Sequence, residues 1–525
     1  MCQQSVSGSR HAVFIMCCVS VSDETERRNF MQYVLTGEEM KAGDRNAIEN
    51  MKMPSVVLME RASLSFVERL VKEGVNLKKV LVVCGSGNNG GDGYAAARML
   101  LQRGSAVTLL SLGKVSSMSP ETRLQREIYQ NFGGREVSAF PDETFTLVID
   151  AVFGVGLSRD IKGQYADAIE KMNALSAFKA AVDIPSGISS ATGEIMGTAF
   201  RADLTSTFAA LKRGHVLFPG EDFCGKVFVE DIGIPTEIFD ERTETSYTVK
   251  ESELFSLLPA RKRDGHKGHY GKVLVIGGCK GMAGAVGFSA AAALRSGSGL
   301  VKILSHEENR EILQCMVPEA MFLPFDAIDE GLAFADVIVL GCGLGTHKEA
   351  AGIVRYVLTH SDKPLVLDAD GINNVLTGAE DAFCAYKGEM VLTPHVGELS
   401  RLLHKEVADL LAMKERIPLI EAFCAAHPGK VLCAKDARTF VKQAGQKMYI
   451  NTVSSPALSK GGSGDVLSGV IASLIGQGLS AYDGARTGTL LHGIAGREAE
   501  KLYGIRSPLA SDVIRCLTLA LKNKE

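Results

Sequence analysis

The chain has 525 residues, 46% of them hydrophobic and 22% charged, with a formal net charge of -4 and no Trp. One hydrophobic core seldom serves so long a chain, so two or more domains are expected. The near-balanced charge gives no footprint for nucleic acid or an anionic membrane surface, and no apolar run reaches the ~20 residues that span a bilayer.

The longest candidate, Ala12 to Val21, falls short and lacks a strongly basic leader. Residues 1 to 30 are read as an extension, disordered or not native, because Met31 opens an amphipathic helix through Glu38, Met40, Asp44 and Ile48. Twelve Cys are scattered without a CxxC pair or a zinc-ligand spacing, the pattern of reduced, mostly buried thiols in a cytoplasmic protein.

From about residue 78, apolar strand-like runs alternate with helical stretches. Lys79 to Cys84 is a strand and Gly93 to Arg103 a helix; strands Ala106 to Leu112, Thr146 to Asp150, Ala180 to Asp183 and Gly225 to Glu230 follow. Runs that are continuously apolar belong to strands covered on both faces, hence to a mostly parallel sheet between helices. The stretch Pro235 to Glu253 is polar and lacks an extended apolar run, so the domain boundary is placed at 245. A second series then runs through Lys272 to Ile276, Val301 to Leu304, Val337 to Leu340, Leu365 to Asp368, Met390 to Thr393 and Val431 to Ala434. The two series share no repeat, which points to fusion over duplication.

In the first half, Gly85-Ser86-Gly87-Asn88-Asn89-Gly90-Gly91-Asp92-Gly93 lies between a strand and a helix. Its glycines permit a tight turn and close approach of backbone to a phosphate at the helix start. A dehydrogenase reading fails, because no acidic residue occurs between Asp92 and Glu121 to hold the ribose. Asp150 and Asp183 end two strands, where ligands bind in open parallel sheets. Either one alone is as well explained as a turn or helix cap; three strand-end sites in one sheet favour a ligand. The sequence NNGGDG, then DAVFGVG, then DIPSG resembles the NAD(P)H-hydrate epimerases over residues 31 to 235. The resemblance implies that Asn88, Asn89, Gly90, Gly91 and Asp92, with Gly154, Val155, Gly156, Leu157, Ser158, Arg159 and Asp160, bind the hydrated dinucleotide. It also implies a potassium ion held by Asn89, Asp150 and Ser186, with Asp183 at the reacting centre as acid or base.

The second half has no GxxxxGK[ST]. It offers instead Lys460-Gly461-Gly462-Ser463-Gly464-Asp465 ahead of an apolar helix. Backbone amides at such a helix start hold an anion, and Asp465 can take a proton from a hydroxyl; the plain alternative is a helix cap. The turn is similar to the GxGD turn of ribokinase-like kinases. HKGxxG at His266, GxGLG at Gly341, LDADG at Leu367, TPHxGE at Thr393 and KGGSGD at Lys460 together resemble the ADP-dependent NAD(P)H-hydrate dehydratases over residues 250 to 522. By that resemblance Ala285, Gly343, His395 and Asp465 contact the hydrated cofactor. Lys435, Asp436, Ala437, Arg438, Thr439 and Gly464 bind the adenine nucleotide, and magnesium accompanies ADP. Lys267 and Lys435 take phosphate-contact positions in their motifs. Asp436 departs from the family, whose members often have Gly there.

The expected architecture is thus two α/β domains: an N-terminal Rossmann-like αβα sandwich over 31–245 and a C-terminal ribokinase-like αβα domain over 246–525. The implied activity is interconversion of R- and S-NAD(P)HX, followed by dehydration of the S epimer at the expense of ADP, giving AMP and phosphate. The implied partners are these small molecules, without nucleic acid or membrane, in a homo-oligomer. Two rivals stand beside it. One is a sugar or vitamin-precursor kinase fused to a Rossmann-like domain. The other is a non-catalytic nucleotide sensor in which Asp183 and Asp465 are caps.

Overall fold

The computed structural model describes residues 30–240 and 242–522; the extension expected over 1–30 lies, except for Phe30, outside the described residues. Two sheets organise the chain. The first has seven strands in the spatial order Arg135–Val137, Ala106–Ser111, Lys79–Cys84, Leu147–Ala151, Phe178–Val182, Leu204–Phe208 and Lys226–Glu230, all parallel. Strand alternation explains the unbroken apolar runs: Val80 and Val82 enter one core, under helices Ser55–Lys72 and Asn88–Gln102, while Leu81 and Val83 enter the other, under Gln164–Ala174. The strand order reverses between Lys79–Cys84 and Leu147–Ala151, so a crevice opens at their carboxyl ends.

The second sheet has twelve strands. Seven are parallel, in the order Met321–Pro324, Leu300–Ser305, Lys272–Ile276, Val337–Leu340, Leu365–Leu367, Met390–Leu392 and Lys430–Ala434. Helices cover both faces, with Val273 and Val275 in one core and Leu274 and Ile276 in the other. Thr439–Lys442 and Met448–Asn451 then continue it antiparallel. Both halves are three-layer αβα structures.

The last three strands depart from the sequence reading. Met31 does not open a helix: Met31–Leu35 is a strand, antiparallel to Ser246–Val249 and parallel to Leu211–Lys212, and all three extend the twelve-stranded sheet. The helix starts six residues later, at Gly37, because Thr36 caps it reciprocally: Glu39 N–H donates to Thr36 Oγ1 (3.2 Å) and Thr36 N–H to Glu39 Oε2 (2.7 Å). Likewise the first glycine-rich helix begins at Asn88, ahead of the expected Gly93. Ser246–Val249 hides in the polar stretch because Ser and Thr take half of its positions. The seam therefore crosses the chain several times. Val34 is fully buried in the core of the second half and Leu35 in that of the first.

Leu35→Ala should lower the unfolding free energy by about 2–5 kcal/mol, as for other core truncations. Equilibrium urea unfolding reads this directly; an unchanged midpoint would contradict the bridging role of the strand.

Candidate active sites

At the crevice of the seven-stranded sheet, backbone closeness explains the glycines. A Cβ on Gly85 would stand 2.1 Å from the Val152 carbonyl oxygen, and one on Gly90 2.0 Å from that of Gly85. The helix from Asn88 therefore starts deep in the crevice; Gly90 N and Gly91 N donate to Gly87 O (2.8 and 3.3 Å), which leaves the Asn88 and Asn89 amides available to an anion. Asp150, fully buried, accepts from Ser186 Oγ (2.7 Å), Ser186 N (2.7 Å) and Val152 N (3.1 Å). Phe153 N donates to Ser186 Oγ (2.8 Å), and Asn89 packs on Gly154, its Oδ1 3.2 Å from where a Cβ would be. Asn89, Asp150 and Ser186 thus meet around the Val152–Gly154 turn. Burial pushes the Asp150 carboxyl up to about 6, and among the described residues no cationic side chain pairs with it. The Asn89 Nδ2 is buried without a partner among the described residues.

Asp183 follows strand Phe178–Val182 in the left-handed region, φ 66°, an uncommon conformation for a residue with a Cβ. Its N–H donates to Ser206 O (2.9 Å). Its Oδ1 accepts from Lys212 Nζ (2.6 Å) and Thr207 Oγ1 (2.9 Å). Burial raises the Asp183 carboxyl, but the Lys212 ammonium outweighs it and holds the group below the usual carboxylate range. His215 Nδ1 accepts from Lys212 N (3.0 Å), so the proton sits on Nε2, which donates to Asp183 O (2.9 Å). Burial holds that imidazole neutral by pushing it down to about 4.

Asp183 opens on a cavity of about 490 Å³ that also takes in Asn88, Asn89, Asp92 and Gly154 to Leu157. Gly90 and Gly91 pack behind the helix start, against Gly85 and Met59. Ser158, Arg159 and Asp160 are exposed on the continuing loop and do not line the cavity. Three charged residues in the lining, Lys41, Asp44 and Lys212, were missed by sequence reasoning. Asp44 had a signal, since it interrupts the Met40–Ile48 apolar stripe at helical spacing; Lys212, in a run of ordinary composition, had none.

In the second half the helix Ser463–Gly476 starts behind Gly462 (φ 90°), with Asp465 in its first turn. Lys435, just beyond strand Lys430–Ala434, places its Nζ 3.0 Å from where a Gly464 Cβ would stand and 2.7 Å from Asp368 Oδ1. Ser468 Oγ donates to Asp368 Oδ2 (2.6 Å). Burial pushes the Asp465 carboxyl up to about 6, with help from the Asp368 charge. One ligand atom each from Cys342, Asp368 and Asp465 lie within 4.8 Å of one another. Gly343 (φ 60°) faces Ala285, whose Cβ lies 3.0 Å from where a Gly343 Cβ would stand. Lys435 N donates to Pro394 O (2.9 Å), which brings His395 beside the same loop. His395 Nδ1 accepts from Gly397 N (3.0 Å) and Glu398 N (3.3 Å), so this histidine caps the helix Val396–Leu403.

The Lys435–Thr439 segment divides. Asp436 Oδ2 accepts from the fully buried Arg416 (2.5 Å), and Thr439 starts the next strand. Arg438 is buried across the seam, where it donates to Val216 O (2.8 Å) and Ser454 Oγ (2.8 Å) and pairs with Glu221. Lys267 stands apart. Its carbonyl packs on Gly299, just before strand Leu300–Ser305, at the amino ends of the strands and away from Asp465.

A cavity at the carboxyl ends of the first sheet and a lysine–carboxylate cluster beside a glycine-led helix at the carboxyl ends of the second define a chain with one enzyme site in each half. Residues 55–214 match the family described as YjeF-related protein N-terminus and 273–518 that described as NAD(P)H-hydrate dehydratase. A bifunctional NAD(P)H-hydrate repair enzyme of Moorella thermoacetica is 36% identical over 94% of this chain and 97% of its own. Its counterpart in Escherichia coli is 33% identical over 95% and 96%. A solved ADP/ATP-dependent NAD(P)H-hydrate dehydratase of Bacillus subtilis is 26% identical, covering 53% of this chain and 98% of that one, with a TM-score of 0.47. The chain belongs to the bifunctional NAD(P)H-hydrate repair enzymes, with an epimerase half followed by a dehydratase half.

Lys212→Met should destabilise the protein by about 3–5 kcal/mol at neutral pH, because it strands a buried carboxylate. The Asp183 carboxyl is depressed in the folded state, so the pair contributes above the unfolded Asp pKa and is lost as pH falls through the folded value. The gap between variant and wild type should accordingly narrow as pH falls below the ordinary Asp value of about 3.9 in urea titrations, and a gap independent of pH would contradict the assignment.

Proposed function

We propose that residues 31–245 carry the epimerase and 246–525 the dehydratase, with the roles that follow. In the epimerase, the helix start from Asn88 to Asp92 and the turn from Gly154 to Asp160 hold the hydrated dinucleotide, while Asp183 exchanges a proton near the hydroxyl-bearing carbon. Asn89, Asp150 and Ser186 hold a potassium ion. Its support is Asp150, a fully buried carboxylate without a cationic side chain among the described residues, for which a bound cation would supply the missing charge.

In the dehydratase, hydroxide is a poor leaving group, and phosphorylation turns it into a good one. Asp465 takes the hydroxyl proton as oxygen attacks the terminal phosphoryl group of ADP, and the Gly461 to Gly464 amides stabilise the transferring charge. Loss of phosphate with a ring proton then restores the dihydropyridine, leaving AMP and phosphate. Ala285, Gly343 and His395 shape the substrate side. Lys435 and Gly464 meet the nucleotide phosphates, with the backbone of Asp436 to Thr439 along the nucleotide, since the Asp436 and Arg438 side chains are engaged elsewhere. Magnesium on those phosphates would supply charge neutralisation, with Asp368 the carboxylate at hand once Asp465 serves as the base. The observation that carries this reading is Asp465 in the first turn of a glycine-led helix beside the Lys435–Asp368 pair. The protein is read as cytoplasmic, in keeping with nine described cysteines that are all free, and as homo-oligomeric on family resemblance alone. Among the described residues, no helix is long and apolar enough to cross a membrane.

The test is recovery of the reduced-nicotinamide absorbance from mixed NADHX epimers with ADP, magnesium and potassium. Wild type should recover all of it and Asp465→Asn none, while Asp183→Asn should finish the second epimer only at the spontaneous rate. No recovery with ADP or ATP would overturn the reading. Because Asp465 must be ionised and its carboxyl is pushed up to about 6, dehydration kcat/KM should rise with pH through about 6 and then level off; a flat profile from about pH 5 to 8 would remove Asp465 as the base.

A further inference from the structure

Hydration of an enamine places the hydroxyl on the carbon next to the ring nitrogen. Inverting that carbon by loss and return of water needs a proton donor on one face and an acceptor on the other. Asp183, tied to Lys212 and Thr207, is built as an acceptor. Across the described residues, two further carboxyls open on the same cavity: Asp92, in the helix start assigned above to the dinucleotide, and Asp44, on the facing helix and free to serve as the donor. Asp44 lies near the end of helix Gly37–Arg45, immediately before a wider turn, Asn46–Asn50, with i→i+5 hydrogen bonding; such turns recur at functional sites. Asp44 lines the cavity between Met40 and Ile48, and among the described residues its carboxyl makes neither a hydrogen bond nor an ion pair. An apolar stripe is a costly place for an unpaired carboxylate and a suitable one for a carboxylic acid.

We propose that Asp44 is the second catalytic residue of the epimerase, the acid that protonates the departing hydroxyl while Asp183 deprotonates the water adding to the opposite face. The proposal rests on the reading of Asp183 given above. The Asp44 proton passes to the hydroxyl oxygen, and the C–O bond breaks with its electron pair leaving as water. The ring-nitrogen lone pair meanwhile forms a C=N bond. A second water then bonds to the carbon from the other face, gives its proton to Asp183, and returns the pair to nitrogen. One water leaves, one enters, and one proton moves from Asp44 to Asp183; solvent resets both carboxyls. The reverse inversion uses the same groups with roles exchanged. Burial pushes the Asp44 carboxyl up to about 6 and Lys212 holds Asp183 down, so the two groups differ in the required sense. The other charged groups facing this cavity are Lys41 on the same helix, Asp92 and Lys212.

The experiment follows epimer interconversion by chromatography in the full-length protein, from about pH 5 to 8, for wild type, Asp44→Asn, Asp44→Glu and Asp183→Asn. Dehydratase activity on S-NADHX serves as the folding control. Wild-type epimerisation should fall as pH rises above about 6. Asp44→Asn should lose roughly 100-fold or more of the rate and that alkaline fall, and Asp44→Glu should recover part of both. Asp44→Asn with wild-type rate and profile, beside an inactive Asp183→Asn, would overturn the role of Asp44 alone. A fully active Asp183→Asn would overturn the site assignment itself.

Discussion

One lysine links the epimerase cavity to the twelve-stranded sheet. Lys212 belongs to a two-residue strand that finishes the twelve-stranded sheet, yet its ammonium reaches into the epimerase cavity, where it has Asp183, Thr207 and the Phe208 carbonyl as partners. The charge of Asp183 depends on that contact. The Lys212 backbone N–H also sets the tautomer of His215, whose Nε2 donates to the Asp183 carbonyl. An epimerase site supported by the other half's sheet is a consequence of how Met31–Leu35, Leu211–Lys212 and Ser246–Val249 pair, and Arg438 closes the same seam from the other side.

Both sites occupy the place that parallel sheets offer to ligands, and they differ in what surrounds the carboxylates. Asp183 has a buried cation at hydrogen-bond distance. Asp465 has burial and a neighbouring carboxylate, and the nearest lysine is already taken by Asp368. The first environment stabilises an anion before substrate arrives. The second raises proton affinity toward the range in which a base must accept a hydroxyl proton at neutral pH. Epimerisation returns the hydroxyl it removes and needs no donor of phosphate; dehydration discards it and does. A repair enzyme that dehydrates one epimer therefore gains from a partner that supplies it from the other.

Much of this was legible from sequence, for physical reasons. Strands buried on both faces write unbroken apolar runs, so Lys79–Cys84 and Lys272–Ile276 were located to the residue. Glycines whose Cβ would strike backbone, such as Gly85 and Gly90, wrote the phosphate turn. What stayed hidden was the seam. Met31–Leu35 has too few residues to show a period, and Ser246–Val249 pairs through its backbone while its side chains look polar. Lys212 and the commitment of Arg438 to Glu221 depend on contacts far along the chain or a whole domain away, which no local pattern encodes. Asp44 could have been found, as a carboxylate set into an apolar helical stripe.

The central claim is that one chain carries two separate sites joined by a diffusible hydrated cofactor. Mixing equal amounts of the Asp183→Asn and Asp465→Asn proteins with epimeric NADHX and ADP tests it most directly. The account predicts that the mixture recovers all of the reduced cofactor at an enzymatic rate, each variant supplying the half that the other lacks. Recovery that stalls at the S epimer's share and then creeps at the spontaneous rate would contradict it.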